Sequence, residues 1–247
     1  MIVVKKLPTP LEAADILERV RARRPRVHCL MNTVVQKFTA DGITVIGAIP
    51  SMTFSPDEIA DFVSKADALT INLGTIDGER RKVIEIAVGV AIDAGKPWIL
   101  DPVHCDYSPS RLAFARTLIA RRPTVLRGNK AEMALLSDAE DVIRIETGAV
   151  DRLMAGKRGV TIHNGHRWMA DVTGTGCLSG GVIAAFLAVE PDPLMAAAAA
   201  LAVIGVAAEH AAEYARGPGS FGVALLDSLS ALSPEALRKD ARIEHGD

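Results

Sequence analysis

Residues 68–103 read ALTINLGTIDGERRKVIEIAVGVAIDAGKPWILDPV, and this stretch carries the pattern that decides the fold. The apolar run at residues 68–73 predicts a buried strand that ends at a Gly-Thr pair. Residues 77–94, followed by a glycine, predict a helix, and residues 98–100 predict a second strand that runs into Asp-Pro-Val. A strand, a helix and a strand in this order are typical of a parallel α/β sheet.

The same alternation continues on both sides of this stretch. We expect a three-layer α/β/α fold with a largely parallel central sheet, formed as one domain over residues 1–247. A tight loop at residues 217–221 and two short helices are predicted to end the chain. The other predicted elements are strands at residues 26–30, 123–126 and 142–146, an extended segment at 48–52, a hairpin formed by 151–154 and 159–162, and helices at 13–24, from a cap at 32 to near 47, at 56–65, 108–121, 131–136, from 177 and from 194 to about 214.

Composition excludes several classes of function. The 247 residues have a formal net charge of −2 and only 4% aromatic residues, so nucleic acid is not an expected partner. The three cysteines are sparse and the first ten residues lack a long apolar core, which predicts a reduced cytoplasmic protein without a signal peptide. The apolar region 177–208 is interrupted by Glu-Pro-Asp-Pro, and we expect its pieces to be too short to span a membrane.

Short polar motifs of two or three residues directly follow four of the predicted strands. These are Gly-Thr, Asp-Pro, Arg-Gly-Asn and Thr-Gly, after the strands that end near residues 73, 100, 126 and 146. Ligands of open α/β sheets bind beyond the carboxyl ends of the strands. The sequence therefore predicts a binding site at this edge of the sheet.

The strongest local motif is Thr173-Gly174-Thr175-Gly176-Cys177, at the start of a long apolar helix. Its glycines allow the backbone N–H groups to converge, and the helix N-terminus adds positive potential, which suits a phosphoryl group. A glycine-rich helix start needed only for close packing is the alternative. The spacing is neither that of a P-loop nor that of a dinucleotide-binding fingerprint.

Cys177 lies in the first turn of that helix. A helix N-terminus lowers the pKa of a thiol, so Cys177 is a candidate base or nucleophile. The alternative is a buried cysteine that acts only as a small apolar side chain.

Three further positions are candidate ligands of a phosphate or a metal ion. Asn129 and Glu132 form N-x-x-E after a strand, which can hold a hydrated Mg²⁺ or can simply cap a helix. Asp101 is a candidate Mg²⁺ ligand or base, with a turn-forming role as the alternative. Arg127 can bind a phosphate or form a surface ion pair. The pairs His28-Cys29 and His104-Cys105 have no spacing that supports a zinc site or a Cys-His hydrolase.

These residues stand in an order that resembles the hydroxyethylthiazole kinases, a family of the ribokinase-like superfamily. The resemblance runs from about residue 27 to residue 229. Its nine pieces occur in the family's order and are VHCLMNTVVQKFTA, IGAIPSM, LTINLGT, ILDPV, TVLRGNKAEM, ETGAVD, NGH, VTGTGC and GPGSF.

The resemblance implies ATP-dependent, Mg²⁺-assisted phosphorylation of the primary hydroxyl of 4-methyl-5-(2-hydroxyethyl)thiazole, a salvage step of thiamine synthesis. It also implies a homotrimer with active sites between subunits. The residues it assigns are Met52, Asn32 and Gly174 at the thiazole, Arg127, Thr147 and Asn129 at ATP, Asp101 and Glu132 at Mg²⁺-phosphate, and Cys177 with the amides of Gly174, Thr175 and Gly176 at the transferred phosphoryl group.

The chain departs from the family's pattern in three places. His104-Cys105-Asp106 follow Asp-Pro-Val where small residues are usual, and Thr33 stands where an acidic residue is frequent. Residues 133–141 replace a glycine-rich turn and a full helix, so we expect one crossover helix to be shortened. A kinase for another small heterocyclic alcohol, such as hydroxymethylpyrimidine, and a catalytically weak ligand-binding homologue are the alternative functions.

Overall fold

The structure is a computed structural model and describes residues 7–136 and 142–246. Within these residues, one nine-stranded sheet has the order β2-β1-β3-β4-β5-β6-β7-β8-β9. The strands are β1 Arg26–Leu30, β2 Ile49–Ser51, β3 Ala68–Asn72, β4 Trp98–Asp101, β5 Val125–Asn129, β6 Ile143–Thr147, β7 Asp151–Ala155, β8 Arg158–Ile162 and β9 Ile243–Gly246. The helices are α1 Pro10–Arg23, α2 Gln36–Val45, α3 Ile59–Lys65, α4 Gly78–Asp93, α5 Pro109–Ile119, α6 Lys130–Ala134, α7 Trp168–Asp171, α8 Thr175–Leu187, α9 Pro193–Tyr214, α10 Pro218–Ala231 and α11 Pro234–Asp240.

The sheet is parallel from β2 to β6 and antiparallel from β6 to β9. The register places Asn72 of β3 beside Asp101 of β4, and Asn129 of β5 beside Thr147 of β6. The carboxyl ends of β3 to β6 therefore form one edge, as the polar strand ends predict.

Two apolar cores lie on opposite faces of this sheet. One contains side chains of α1, α2 and α8 to α11, and the other contains side chains of α3 to α6. Alternate residues of a strand enter different cores, as Cys29 and Leu30 of β1 do. The predicted three-layer α/β/α architecture is confirmed.

The crossover from β5 to β6 is the shortened one. Helix α6 has only five residues, yet β5 and β6 still pair in parallel over five positions. The guanidinium of Arg144 in β6 donates hydrogen bonds to the carbonyl oxygens of Met133 and Leu136, 3.3 and 2.9 Å away. A strand side chain therefore binds carbonyl groups at the end of this short helix.

Helix α9 corrects one expectation about the apolar region. At 22 residues it has the length and composition of a membrane span, so length does not exclude that role. However, 89% of its most apolar window is buried inside the protein. It packs against α1, α8 and α10 as a central core helix.

The C-terminal part differs from the prediction in two respects. The predicted loop at residues 217–221 is wrong, because Gly217 is the N-cap of α10 and Pro218 begins that 14-residue helix. Proline is favoured in the first turn of a helix, where its missing N–H group is not needed. Strand β9 was not predicted, and it extends the sheet by pairing with β8. Its four residues carry too short a pattern to indicate a strand without that partner.

Candidate active site

The carboxyl ends of β3 to β5 bring three polar side chains together. Asp101 is 3% exposed and accepts hydrogen bonds at Oδ2 from Asn72 Nδ2 and Arg127 Nη1, both at 2.9 Å. Its Oδ1 accepts one from the Val103 amide at 3.2 Å. The Arg127–Asp101 ion pair has little contact with solvent. Of the alternatives for Arg127, an ion pair is observed, but it is buried at the predicted site rather than on the surface.

Asn72 joins this ion pair to helix α8. Its Nδ2 also donates to Cys177 Sγ at 3.4 Å, and its Oδ1 accepts a hydrogen bond from the Gly74 amide at 2.9 Å. Asn72 is 4% exposed and is not among the predicted site residues, because it stands inside the apolar run of residues 68–73. A buried amide in such a run is the signal that indicates it, since it needs polar partners.

The predicted anion site at the start of α8 has the expected backbone. Gly174 is the N-cap at φ 107°, in the left-handed region that favours glycine. The amides of Gly176 and Cys177 belong to the first turn of α8, where backbone N–H groups have no acceptor within the helix ladder. A Cβ at Gly176 would lie 3.0 Å from Arg127 Nη2. The glycine therefore lets this guanidinium approach the helix N-terminus.

The Thr175 side chain has a structural role. Its hydroxyl donates to the carbonyl oxygen of Met169 at 2.6 Å and lies 3.3 Å from that of Val172. These bonds tie the segment before α8 to the first turn of the helix. The Thr175 amide also donates to the carbonyl oxygen of Val172, at 3.4 Å, so both its hydroxyl and its N–H are used within the protein rather than left for a phosphoryl group.

The expectation that the helix N-terminus lowers the pKa of Cys177 is wrong. Burial, and then the negative charge of Asp101, raise the pKa of this thiol to about 12, although Arg127 acts in the opposite direction. At neutral pH this shift favours the protonated thiol of Cys177 over the thiolate.

Asn129 and Glu132 form a reciprocal cap at the start of α6. Asn129 Oδ1 accepts from the Glu132 amide at 3.0 Å, and Glu132 Oε2 accepts from the Asn129 amide at 2.8 Å. The capping alternative for N-x-x-E is therefore confirmed. Glu132 is 3% exposed, and its Oε1 also accepts a hydrogen bond from the His104 amide at 2.7 Å.

The carboxylates at this edge fit the chemistry of Mg²⁺. Asp101 and Glu132 offer only oxygen atoms, and Mg²⁺ is commonly held by one or two carboxylates together with water and phosphate oxygens. Each of the four oxygen atoms accepts at least one hydrogen bond. Asp101 Oδ2 accepts two bonds, whereas Asp101 Oδ1 and both oxygens of Glu132 accept one each and keep a second lone pair for an ion.

A cavity of about 630 Å³ opens beside Arg127 and Gly176. Thr147 lines it, and its hydroxyl donates to the carbonyl oxygen of Gly128 at 3.3 Å. The opposite wall includes Asn164-Gly165-His166, which are not predicted site residues although the NGH piece is part of the resemblance. A larger cavity, of about 690 Å³, lies between α1 and the loop before α9 and contains none of the predicted site residues.

Glu209 of α9 fixes the Asn164-Gly165 wall of this cavity. Its carboxylate accepts hydrogen bonds from Asn164 Nδ2 at 3.0 Å and from the Gly165 amide at 2.9 Å. Arg242, just before β9, pairs with the same carboxylate. The C-terminal strand is thereby tied to the wall of the cavity.

The predicted thiazole residues lie around the beginning of α2 and the end of β2. Asn32 caps the 3₁₀ turn Thr33–Val35 by accepting from the Val34 amide at 3.0 Å. A Cβ at Gly74 would lie 2.8 Å from Asn32 Cβ, which shows that Asn32 contacts the end of β3. A Cβ at Gly174 would lie 3.0 Å from Val35 Cγ1 and 3.2 Å from Phe38 Cδ1, so this glycine packs closely against both side chains. Met52 and Cys177 are both partly buried and pack against the same core.

The segment around Met52 is held by a buried histidine. His28 Nδ1 lies 2.8 Å from Ser51 Oγ, and its Nε2 lies 3.2 Å from the carbonyl oxygen of Thr53. These two contacts are on either side of Met52. Burial lowers the pKa of His28 to about 4, although the Thr53 carbonyl and Glu58 oppose this shift. Neutral His28 therefore positions the segment by hydrogen bonds, and no metal role is needed for it.

Comparison with known proteins identifies the family. The model of the hydroxyethylthiazole kinase family matches residues 17–145 and 136–235. A protein of Agrobacterium fabrum named "Probable hydroxyethylthiazole kinase" is 68% identical over 96% of this chain and 97% of its own. A hydroxyethylthiazole kinase structure from Pyrococcus horikoshii OT3 is 35% identical and superposes with a TM-score of 0.91, covering 95% of this chain and 99% of that one.

A more distant structure shows the same fold. A ribokinase-like superfamily protein of Enterococcus faecalis has a TM-score of 0.63 at 14% identity, over 90% of this chain and 95% of its own. The two matched segments overlap at residues 136–145, which include the end of the shortened crossover. The chain belongs to the hydroxyethylthiazole kinase family.

Proposed function

We propose that this protein transfers the γ-phosphoryl group of ATP to the primary hydroxyl of 4-methyl-5-(2-hydroxyethyl)thiazole, as one cytoplasmic domain that salvages the thiazole of thiamine. The observation that carries the proposal is the hydrogen-bonded group of Asp101, Arg127, Asn72 and Cys177 beside the first-turn amides of α8. The family membership supplies the substrate class.

Arg127 and the α8 amides neutralise negative charge at the reacting phosphate. Arg127 is held by Asp101 and faces both the cavity and Gly176, so its fixed guanidinium supports the assignment of that cavity to ATP. The amides of Gly176 and Cys177 are available for an oxygen of the phosphoryl group in flight. When bound at Asp101 and Glu132, Mg²⁺ would neutralise and orient the phosphates.

Cys177 orients the acceptor hydroxyl as a neutral thiol. Its Sγ accepts a hydrogen bond from Asn72 Nδ2, and its raised pKa keeps the S–H proton in place. In the reaction a bond forms between the thiazole hydroxyl oxygen and phosphorus while the bond to ADP breaks. A loose transition state leaves little charge on the attacking oxygen, so the hydroxyl proton can leave late, to a phosphate oxygen or to water. No thiolate is required.

A homotrimer with active sites between subunits is part of this proposal. Val34 is 74% exposed next to the Asn32 cap, and Val223 is 65% exposed on α10, which packs against α2. Exposed apolar side chains beside a binding site favour coverage by a second subunit. Light scattering of the purified protein should give three times the chain mass, and Val34→Asp should reduce it.

The test is ATP consumption with the thiazole alcohol and Mg²⁺. Turnover with the thiazole but not with hydroxymethylpyrimidine supports the proposal, and the reverse preference favours the kinase for another heterocyclic alcohol. Tight thiazole binding in calorimetry without turnover favours the ligand-binding homologue. We expect the shortened crossover to affect the KM for ATP most, because it leads into β6, whose Thr147 lines the cavity assigned to ATP.

A further inference from the structure

The loop between β4 and α5 brings two exposed side chains to the buried carboxylate of Glu132. His104 and Asp106 lie on this loop, and each offers one ligand atom to the cluster. The ligand atoms of His104, Asp106 and Glu132 all lie within 4.8 Å of one another. The hydrogen bond from the His104 amide to Glu132 Oε1 holds the loop against α6.

The backbone at His104 is strained. Its φ is 59°, in the left-handed region where a side chain costs roughly 1 kcal/mol relative to glycine. The imidazole packs edge-on against the ring of Tyr107, with ring centroids 5.4 Å apart. Glycine would relieve the strain but would remove the imidazole from the two carboxylates. The imidazole is therefore kept in the cluster although the backbone of His104 adopts an unfavourable conformation.

We infer that His104, Asp106 and Glu132 form a binding site for one divalent transition-metal ion, of the class of Co²⁺, Mn²⁺ or Zn²⁺. One imidazole nitrogen with two carboxylate oxygens is a donor set that these ions accept, whereas Mg²⁺ prefers oxygen alone. Two carboxylates balance the charge of the ion. The exposed side chains of His104 and Asp106 can rotate to bring the donors to about 2.0–2.2 Å from it.

The site shares only Glu132 with the proposed Mg²⁺ ligands. Asp101 does not belong to the three-residue cluster, and its Oδ2 is bonded to Arg127 and Asn72. The inference concerns ion binding by the protein without nucleotide or thiazole. It therefore stands or fails separately from the proposed reaction.

The test is a spectrophotometric Co²⁺ titration of the untagged full-length protein after chelator treatment. We expect one saturable Co²⁺ per chain, with ligand-field bands of nitrogen and oxygen ligands and no thiolate charge-transfer band. His104→Gly and Asp106→Asn should each weaken binding about tenfold or more. His104→Gly should melt at the same or a higher temperature, because the glycine relieves the strain, so misfolding cannot account for the loss.

His163→Gln is the matched control, because His163 also lies near a carboxylate, 3.2 Å from Glu244, but in a pair rather than a cluster. It should leave Co²⁺ affinity unchanged. Three results would overturn the inference: no saturable binding, a thiolate-to-cobalt band that places the ion at a cysteine, or unchanged affinity in His104→Gly. A parallel kinase assay with Mg²⁺-ATP reports on the proposed reaction independently.

Discussion

Breaking the buried ion pair between Asp101 and Arg127 should destabilise the protein strongly, and replacing Asp101 by Asn tests this. The side chains of the pair are only 4% and 12% exposed, and they lie 2.9 Å apart. Asparagine keeps an oxygen acceptor but removes the charge, which leaves the Arg127 guanidinium buried beside a neutral group. Breaking a buried pair in this way costs about 3–5 kcal/mol. The melting temperature should fall by about 6–20 °C in a protein of this size.

The assay is urea unfolding monitored by circular dichroism, at one fixed protein concentration because assembly alters apparent stability. Glu146→Gln is the matched control, since Glu146 and Arg152 form an exposed pair 3.9 Å apart. It should change the free energy of unfolding by about 1 kcal/mol or less. The double variant Asp101→Asn/Arg127→Met should lose less stability than the sum of the two single variants.

Two results would refute this reasoning. The first is a loss of less than about 1 kcal/mol in Asp101→Asn, which would place the pair in a solvated environment. The second is strict additivity in the double variant, which would mean that the two side chains do not interact energetically.

Three further predictions concern single residues. Because its pKa is raised to about 12, Cys177 should react with iodoacetamide more slowly than a free thiol. For the same reason, the dependence of kcat on pH between 6 and 9 should be the same in the wild type and in Cys177→Ser. Gly176→Ala should raise the KM for ATP about tenfold, because its Cβ would lie 3.0 Å from Arg127 Nη2, whereas Gly78→Ala, with open space around it, should leave KM unchanged. The urea midpoint should fall as pH is lowered from 6.5 to about 4, because His28 stays neutral in the folded protein but is protonated in the unfolded chain. The free energy of unfolding should decrease by on the order of 2–3 kcal/mol over this range. The variant His28→Gln should make the urea midpoint less dependent on pH.

Much of the fold follows from local patterns in the chain. The apolar run of β3 and the capped helix α4 indicate their own structure, because burial and capping depend on residues close in sequence. Helix α10 and strand β9 were not predicted at their true positions. A Gly-Pro-Gly start is typical of a loop as well as of a helix, and β9 needs β8 beside it.

The sequence indicates candidate residues for the site but not the interactions between them. Asp101, Arg127, Cys177 and Glu132 are polar or reactive groups at strand and helix ends, which makes them recognisable. The roles of Asn72 and Glu209 depend on side chains distant in sequence, and spacing along the chain does not reveal such contacts.

The sequence by itself determined the layered α/β architecture, the edge of the sheet where polar groups collect and the family to which the chain belongs. Only the tertiary structure decided the charge states and partners at that edge. Burial and the charge of Asp101 raise the pKa of Cys177, the opposite of what its place in the first turn of α8 predicts. The tertiary structure also brings the side chains of His104 and Asp106 close to that of Glu132. The physical reason is that the protonation state and metal affinity of a group depend on desolvation and on charges a few ångströms away, which the folded chain supplies from distant residues.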